Sequence, residues 1–341
     1  MSTSDSGPSA FQTWCQASPH ASHQTLRQSL IPALLDGIAK VGQALRTAHD
    51  VSLAGTANAF GDDQLNVDVS AEAIIRAALA ACPSVVTASS EEDPVERRVH
   101  GGDDDDDDDE EQPSQPGQVY TVAFDPLDGS SIIAPNWSVG TIMGIWEGRS
   151  AVSQRPSQKQ VAAILGVYGP RTTAVVAIRT PGAEPACFEM GLSDGGTQGH
   201  AMVRPAVRLA SPPFRTRYFA PANLRAAADD DGYMRLVTRF IQSRYTLRYS
   251  GGLVPDVVHA LAKGHGVYVS PVTARSGAKL RKLYELFPVA LVIECAGGRA
   301  VDPLSGRDIL AEGVAECDER GGLICGTAED VEHAKRELGL S

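Results

Sequence analysis

The chain has 341 residues, of which 43% are hydrophobic and 21% charged, and a net charge of −12 at neutral pH. That length admits two domains of roughly 100–200 residues each, or one large one. The acidic balance argues against a nucleic-acid partner, which needs Lys and Arg to displace counterions from phosphates, and no apolar run approaches the roughly 18–20 residues needed to cross a bilayer, which speaks against a membrane partner.

Residues 1–23 are rich in Ser, Pro and Ala. They show no charged stretch followed by an apolar core, so a flexible tail is expected rather than a secretory signal. The Ser-rich, acid-poor start faintly suggests a transit peptide, but no Arg precedes Arg27, and a cytoplasmic protein is expected. From residue 25 onward Leu26, Leu30, Leu34, Ile38, Val41 and Leu45 recur at three- and four-residue steps, which predicts an amphipathic helix with Pro32 in its first turn or at a kink. A second helix is predicted over 69–81, with Ser70 as N-cap, Glu72 in the first turn, and Ile74, Ile75 and Leu79 on the buried face. Strands are predicted over 84–88, 119–124, 139–146, 162–168 and 172–179. Between the first two lies a segment, 101–117, that carries nine consecutive acidic residues from Asp103 to Glu111. With nothing apolar to bury, it is expected to be a disordered loop held open by its own repulsion.

The texture changes near 204–210. Beyond it, helices over 232–242, 254–262 and 280–287 alternate with strands over 247–249, 266–269 and 290–295. Such alternation indicates an α/β domain. The expected division is an N-terminal domain over 24–205 and a C-terminal domain over 206–341. Cys15, Cys82, Cys187, Cys295, Cys317 and Cys325 have no metal-ligand spacing and read as reduced thiols.

Carboxylates stand beside strand or helix ends in four separated segments: Asp62, Asp63 and Asp68; Glu91 and Glu92; Asp125 and Asp128; and Glu285. If the fold gathers them, like charges within a few ångströms resist ionising together. Divalent cations relieve that cost, and Mg²⁺ favours carboxylate and carbonyl oxygens plus substrate phosphate. The string Asp125-Pro126-Leu127-Asp128-Gly129-Ser130-Ser131 suits this role. Pro126 fixes its own φ so that the Leu127 carbonyl is offered to a metal. Gly129, Ser130 and Ser131 expose N–H and hydroxyl donors that can cradle an anion. An Asp-x-x-Asp-Gly by itself also occurs in ordinary turns and calcium loops; the full string is more specific.

The string resembles the signature of the fructose-1,6-bisphosphatase and sedoheptulose-1,7-bisphosphatase family, related to the inositol monophosphatases. Further resembling stretches include Phe60-Gly61-Asp62-Asp63-Gln64-Leu65, Ser90-Glu91-Glu92, Val139-Gly140-Thr141-Ile142, Tyr245-Thr246-Leu247-Arg248-Tyr249, Gly251-Gly252-Leu253-Val254 and Lys279-Leu280-Arg281. The resemblance spans about residues 25–330 and is strongest toward the sedoheptulose branch. It implies a layered αβαβα sugar-phosphatase fold, mixed α+β and α/β, with an N-terminal mixed-sheet domain and a C-terminal α/β domain. It implies two or more Mg²⁺ per site, with Mn²⁺ able to substitute, held by Glu91, Asp125, the Leu127 carbonyl, Asp128 and Glu285. Asp63 would help position a further metal, Asp68 and Glu92 would orient and deprotonate water, and Arg281 would support the acidic cluster. Gly129, Ser130 and Ser131 would hold the departing phosphate, while Asn223, Arg248, Tyr249, Leu253 and Lys279 would bind the rest of a sugar bisphosphate. An arginine at the Arg248 position can come from a neighbouring subunit, which implies a homo-dimer or homo-tetramer.

Ala226 and Ser270 stand where fructose bisphosphatases usually carry tyrosines, and Ile132 replaces their asparagine. These changes suggest a seven-carbon substrate, with fructose 1,6-bisphosphate as the alternative, and a non-catalytic regulatory homologue as a second. The stretch Leu53–Ala59 has no cysteine, so no thioredoxin-type switch of the plastid kind is expected there.

Overall fold

The computed structural model describes residues 10–16, 23–57, 63–100, 119–196 and 199–340. The acidic run 103–111 lies outside the described residues, as do Asp62 and the side chain of Asp63.

The chain opens with α1 (Ala10–Gln16) and a π-helical turn, Leu26–Leu30, that runs into α2 (Ile31–Thr47). The antiparallel pair β1 (Leu53–Ala57) and β2 (Asp63–Leu65) leads to α3 (Asn66–Ala80). Next come β3 (Val85–Ser90), β4 (Arg97–Arg98), β5 (Tyr120–Asp128), α4 (Ser130–Ile133), β6 (Val139–Glu147), α5 (Pro156–Lys159), β7 (Gln160–Tyr168), β8 (Thr172–Ile178), β9 (Ala186–Gly191) and β10 (Ala201–Arg204). These eight strands form one sheet ordered β10-β9-β8-β7-β6-β5-β3-β4. It is antiparallel except where β3 runs parallel to β5.

Beyond residue 204 the order is β11 (Tyr218–Pro221), α6 (Asp231–Gln242), β12 (Thr246–Leu247), α7 (Leu253–Lys263), β13 (Val267–Ser270), β14 (Leu280–Arg281), α8 (Phe287–Cys295), β15 (Arg299–Val301), β16 (Arg320–Gly321), β17 (Leu323–Gly326) and α9 (Ala328–Glu337). Five of these strands make a second sheet, β12-β11-β13-β17-β15, and β14 pairs with β16 apart from it.

Burial patterns explain the layering. Alternate residues of a strand point to opposite faces, and in β7 Ala162 and Ile164 enter one apolar cluster while Ala163 and Leu165 enter another. The first cluster holds Leu34 and Ile38 of α2 and Ile75 and Leu79 of α3. The second holds Val257 and Leu261 of α7 and Leu291 and Val292 of α8, together with Tyr268 and Cys325 of the second sheet. A third joins Tyr233, Leu236 and Phe240 of α6 and Val331 of α9 to Phe219, Val267 and Ile324. The layers are therefore helix, sheet, helix, sheet, helix, the αβαβα arrangement expected from the sequence.

The structure corrects several local expectations. Residues 290–295 are helical, not a strand. The run Phe287 to Cys295 lies in α8, whose Val289 to Ile293 are all buried between the two sheets. A fully buried helix has no polar stripe, so its pattern cannot be told from that of a buried strand. The flexible tail is corrected over Ala10–Gln16, which folds as α1 because Phe11 is driven into the first cluster beside Leu26 and Leu30. Ser70 is not an N-cap; its hydroxyl donates to the Asn66 carbonyl inside α3. Asp68 serves that end instead, its carboxylate accepting from the N–H of Leu65 at 3.0 Å, the acidic half of a capping box. No helix among the described residues is long and apolar enough to cross a membrane.

Candidate active site

The acidic residues converge where β3, β5 and the segment before α8 meet. Glu91 follows β3, and its N–H donates to the Phe124 carbonyl of β5 at 3.0 Å. Asp125 lies within β5, and Glu285 lies on the π-helical turn Lys282–Leu286 that enters α8. Carboxylate oxygens of Glu91, Asp125 and Glu285 all lie within 4.8 Å of one another. Burial, together with the charges of Asp128 and Glu285, holds the Asp125 carboxyl well above the ordinary range. Burial likewise raises Glu285, although the Arg281 N–H donates to its carboxylate. A cluster of this kind is costly to ionise by itself and fits a hard divalent cation bound through oxygen. Arg281, buried at the end of β14, pairs with Glu91. One residue therefore ties two of the three carboxylates together.

The expected turn after Phe124 is still strand. β5 continues to Asp128, and its register against β6 shifts between Asp125 and Asp128. Such a bulge bends the strand and re-aims its side chains. The Asp125 carboxylate accepts from the Leu127 N–H at 2.9 Å, and the Thr141 hydroxyl of β6 donates to the Pro126 carbonyl at 2.8 Å while meeting the Tyr168 hydroxyl at 2.6 Å. Leu127 itself is buried.

Asp128 lies beside the cluster of three, and its charge acts on both Asp125 and Glu285. Its two oxygens accept from the N–H groups of Leu253 and Val254, at 3.1 and 2.7 Å, and so cap the start of α7. A carboxylate at a helix N-terminus satisfies orphan donors and the helix dipole together. Burial still holds its carboxyl above the usual range. Leu253 thus contributes its N–H here and buries its side chain in the core.

Gly129 adopts φ 98°, a left-handed conformation that suits glycine. It delivers the chain into α4, where Ser130 and Ser131 are both exposed. On the other flank, Gln64 donates to the Glu92 carboxylate at 2.5 Å. Asp68 is raised to about 6 by burial, and by the nearby charge of Glu92 against the pull of the Leu65 hydrogen bond. Asp63 begins β2, but its side chain lies outside the described residues.

At the far end, Asn223 adopts the left-handed conformation (φ 49°) and donates to the Ser276 hydroxyl at 2.8 Å. Tyr249 is hydrogen-bonded to the Asn223 backbone, and Lys279 is exposed. Arg248 points elsewhere: its guanidinium lies 5.7 Å over the Tyr218 ring and donates to the Leu247 carbonyl. A cavity of about 860 Å³ opens beside Arg248 and Tyr249, lined also by Arg46, Trp137, Tyr168 and His259 and by none of the three clustered carboxylates. Ala226, expected to leave room for substrate, is buried with Tyr233 and Val237 instead of facing an open wall. Sequence reasoning passed over Gln64, which positions Glu92, and Asp256, whose buried carboxylate accepts from the backbone N–H and hydroxyl of Ser250. An acidic residue in the first turn of α7 was the available signal for the second.

Family models match both halves of the chain: that of the fructose-1-6-bisphosphatase N-terminal domain over residues 14–196 and that of the C-terminal domain over 213–338. The chain belongs to the fructose-1,6-bisphosphatase family. With that family it is a sugar bisphosphatase, a phosphoric monoester hydrolase. It is 37% identical over 313 residues to the chloroplastic sedoheptulose-1,7-bisphosphatase of Chlamydomonas reinhardtii, covering 88% of this chain and 72% of that one. It is 35% identical to a class 1 fructose-1,6-bisphosphatase of Syntrophotalea carbinolica, covering 90% of this chain and 87% of that one. A Toxoplasma gondii crystal structure, assigned as a sedoheptulose-1,7 bisphosphatase, superposes with a TM-score of 0.82 at 33% identity, covering 98% and 99% of the two chains. The Leishmania major fructose-1,6-bisphosphatase in its holo form, at 24% identity and a TM-score of 0.79, shares the fold.

Proposed function

We propose that the chain removes the 1-phosphate of sedoheptulose 1,7-bisphosphate, releasing sedoheptulose 7-phosphate and inorganic phosphate, with Mg²⁺ as its metal. The observation that carries the reading is the convergence of Glu91, Asp125 and Glu285 within 4.8 Å at the end of the strand that leads into Ser130 and Ser131. Those three carboxylates would hold the metal, with Asp128 and the Leu127 carbonyl beside them. Bound there, Mg²⁺ supplies charge neutralisation at the phosphoryl oxygens and a lowered pKa for water.

The chain's own residues do the rest. Ser130 and Ser131 and the N–H groups after Gly129 bind the phosphoryl group. Asp68, poised at about 6 by burial, and Glu92, fixed by Gln64, are the groups to orient a water and take its proton. Arg281 holds Glu91 and Glu285 in place, and Lys279 is an exposed cation for the sugar end. Placement and electrostatics dominate phosphoryl transfer, which asks little covalent work of the protein. Asn223 and Tyr249 would face the distal phosphate. Because Arg248 is turned toward Tyr218 instead, we read it as reaching a neighbouring copy in a homo-dimer or homo-tetramer. We divide the chain into domains near residue 205 and place the enzyme in the cytoplasm, where its six free cysteines would stay reduced.

The 37% relative favours the seven-carbon substrate, and the 35% relative keeps fructose 1,6-bisphosphate as the second reading. Phosphate release from both bisphosphates, with Mg²⁺ and with chelator, tests this. The expected result is Mg²⁺-dependent release with higher kcat/KM on the seven-carbon substrate. Equal or better turnover of the six-carbon substrate would remove the preference, and undiminished release in chelator would remove the metal.

A further inference from the structure

The substrate proposed above carries two phosphates, and the clustered carboxylates with their cation can serve only one of them. The other needs positive charge from a protein whose overall charge is −12. Within the same chain, two arginines on the flank of Asn223 and Tyr249 are already engaged. Arg248 lies over Tyr218, and Arg275 is paired with Asp229 at 2.7 Å.

Arg225 differs from these. It sits two residues beyond Asn223 on the 3₁₀ helix Leu224–Ala228, whose other face buries Ala226 and Ala227. Burial of those two alanines directs Arg225 outward, where it is exposed and makes no hydrogen bond or ion pair with the described residues. It nevertheless stays close to the site: its charge acts on the Tyr249 phenol, offsetting part of the rise that burial imposes, and the same phenol meets the Asn223 backbone.

We propose that Arg225 binds the distal phosphate of the sugar bisphosphate from within the same chain, as a third member of the Asn223–Tyr249 subsite. The guanidinium offers several N–H donors in a planar fork suited to phosphate oxygens.

The inference rests on the bisphosphatase reading, and the test separates the two. Arg225→Ala and Arg225→Lys are compared with the wild type on fructose 1,6-bisphosphate and on fructose 1-phosphate, which lacks the distal group. The expected result is a fall in kcat/KM of about 10- to 100-fold for Arg225→Ala on the bisphosphate, carried by KM, the range that one charge-assisted hydrogen bond commands. Turnover of the monophosphate stays unchanged, Arg225→Lys recovers part of the loss, and the melting temperature does not move. Equal losses on both substrates, or none on either, would overturn the role of Arg225 while leaving the bisphosphatase reading intact. A wild type that hydrolyses neither bisphosphate would overturn that reading and this inference with it.

Discussion

Three carboxylates within 4.8 Å of one another, those of Asp125 and Glu285 buried, cost stability whenever they ionise without a cation between them. Replacing Glu285 with Gln keeps the shape and removes one of the charges. In chelator, Glu285→Gln is expected to melt a few degrees above the wild type, because burial and the Asp128 charge oppose ionisation of Glu285. In Mg²⁺ the order reverses, since only the wild type gains the stabilisation that ligand binding gives the folded state. Phosphate release falls by more than about 100-fold, beyond what losing an outer-shell partner costs. Melting curves in both buffers decide it; a variant that gains as much from Mg²⁺ as the wild type would remove Glu285 from the metal site. At this scale, Asp125, Glu91 and Glu285 were legible because the seven-residue string and its companions fix their identity. The partners of Asp128 were not, since Leu253 and Val254 lie more than 120 positions away and only the packing of α7 on β6 brings them to it. Arg225 was illegible for a related reason: its exposure follows from the burial of the alanines beside it.

α7 reaches Asp128 only because β6 offers it a glycine. Gly140 pairs with Asp128 across the two strands, and a Cβ built on it would lie 2.4 Å from Val254 Cβ. The close approach sets the first turn of α7 against the strand and aims its free N–H groups at the carboxylate. Gly140→Ala is expected to cost about 1–3 kcal/mol, as overpacking does, and to lower activity by shifting α7 and relaxing Asp128. Denaturant unfolding with a parallel phosphate-release assay measures both, and a variant with wild-type midpoint would show that the strand and helix separate freely. Element boundaries were otherwise readable where one face is polar: α2 and α6 follow their apolar spacing closely. Legibility failed at α8, which is buried all round, and at β9 and β10, which show no strong period of their own in the sequence.

The whole molecule depends on α8, which with α7 makes the middle layer, and α8 carries one charged side chain, near its end. Glu294 accepts from Arg179, which follows β8 of the first sheet, at 2.7 Å. It is also hydrogen-bonded to Asp308, which bridges to Val301 of the second sheet. Burial, then repulsion from Asp308, lifts its carboxyl to about 7 against the attraction of Arg179. The folded protein therefore keeps a proton there that the unfolded chain releases near the ordinary glutamate value of 4.5. Stability from this group is complete below that value and is lost as pH rises through about 7. Glu294→Gln removes the titration. The melting temperature of the variant minus that of the wild type should accordingly rise from pH 5 to about 8 and level off above it. The pair is compared in chelator, so that the clustered carboxylates titrate alike in both proteins and cancel in the difference. A difference that stays constant across this range would mean that Glu294 is already ionised at pH 5. Arg179 would then hold it as an ordinary ion pair between the middle helix and the first sheet.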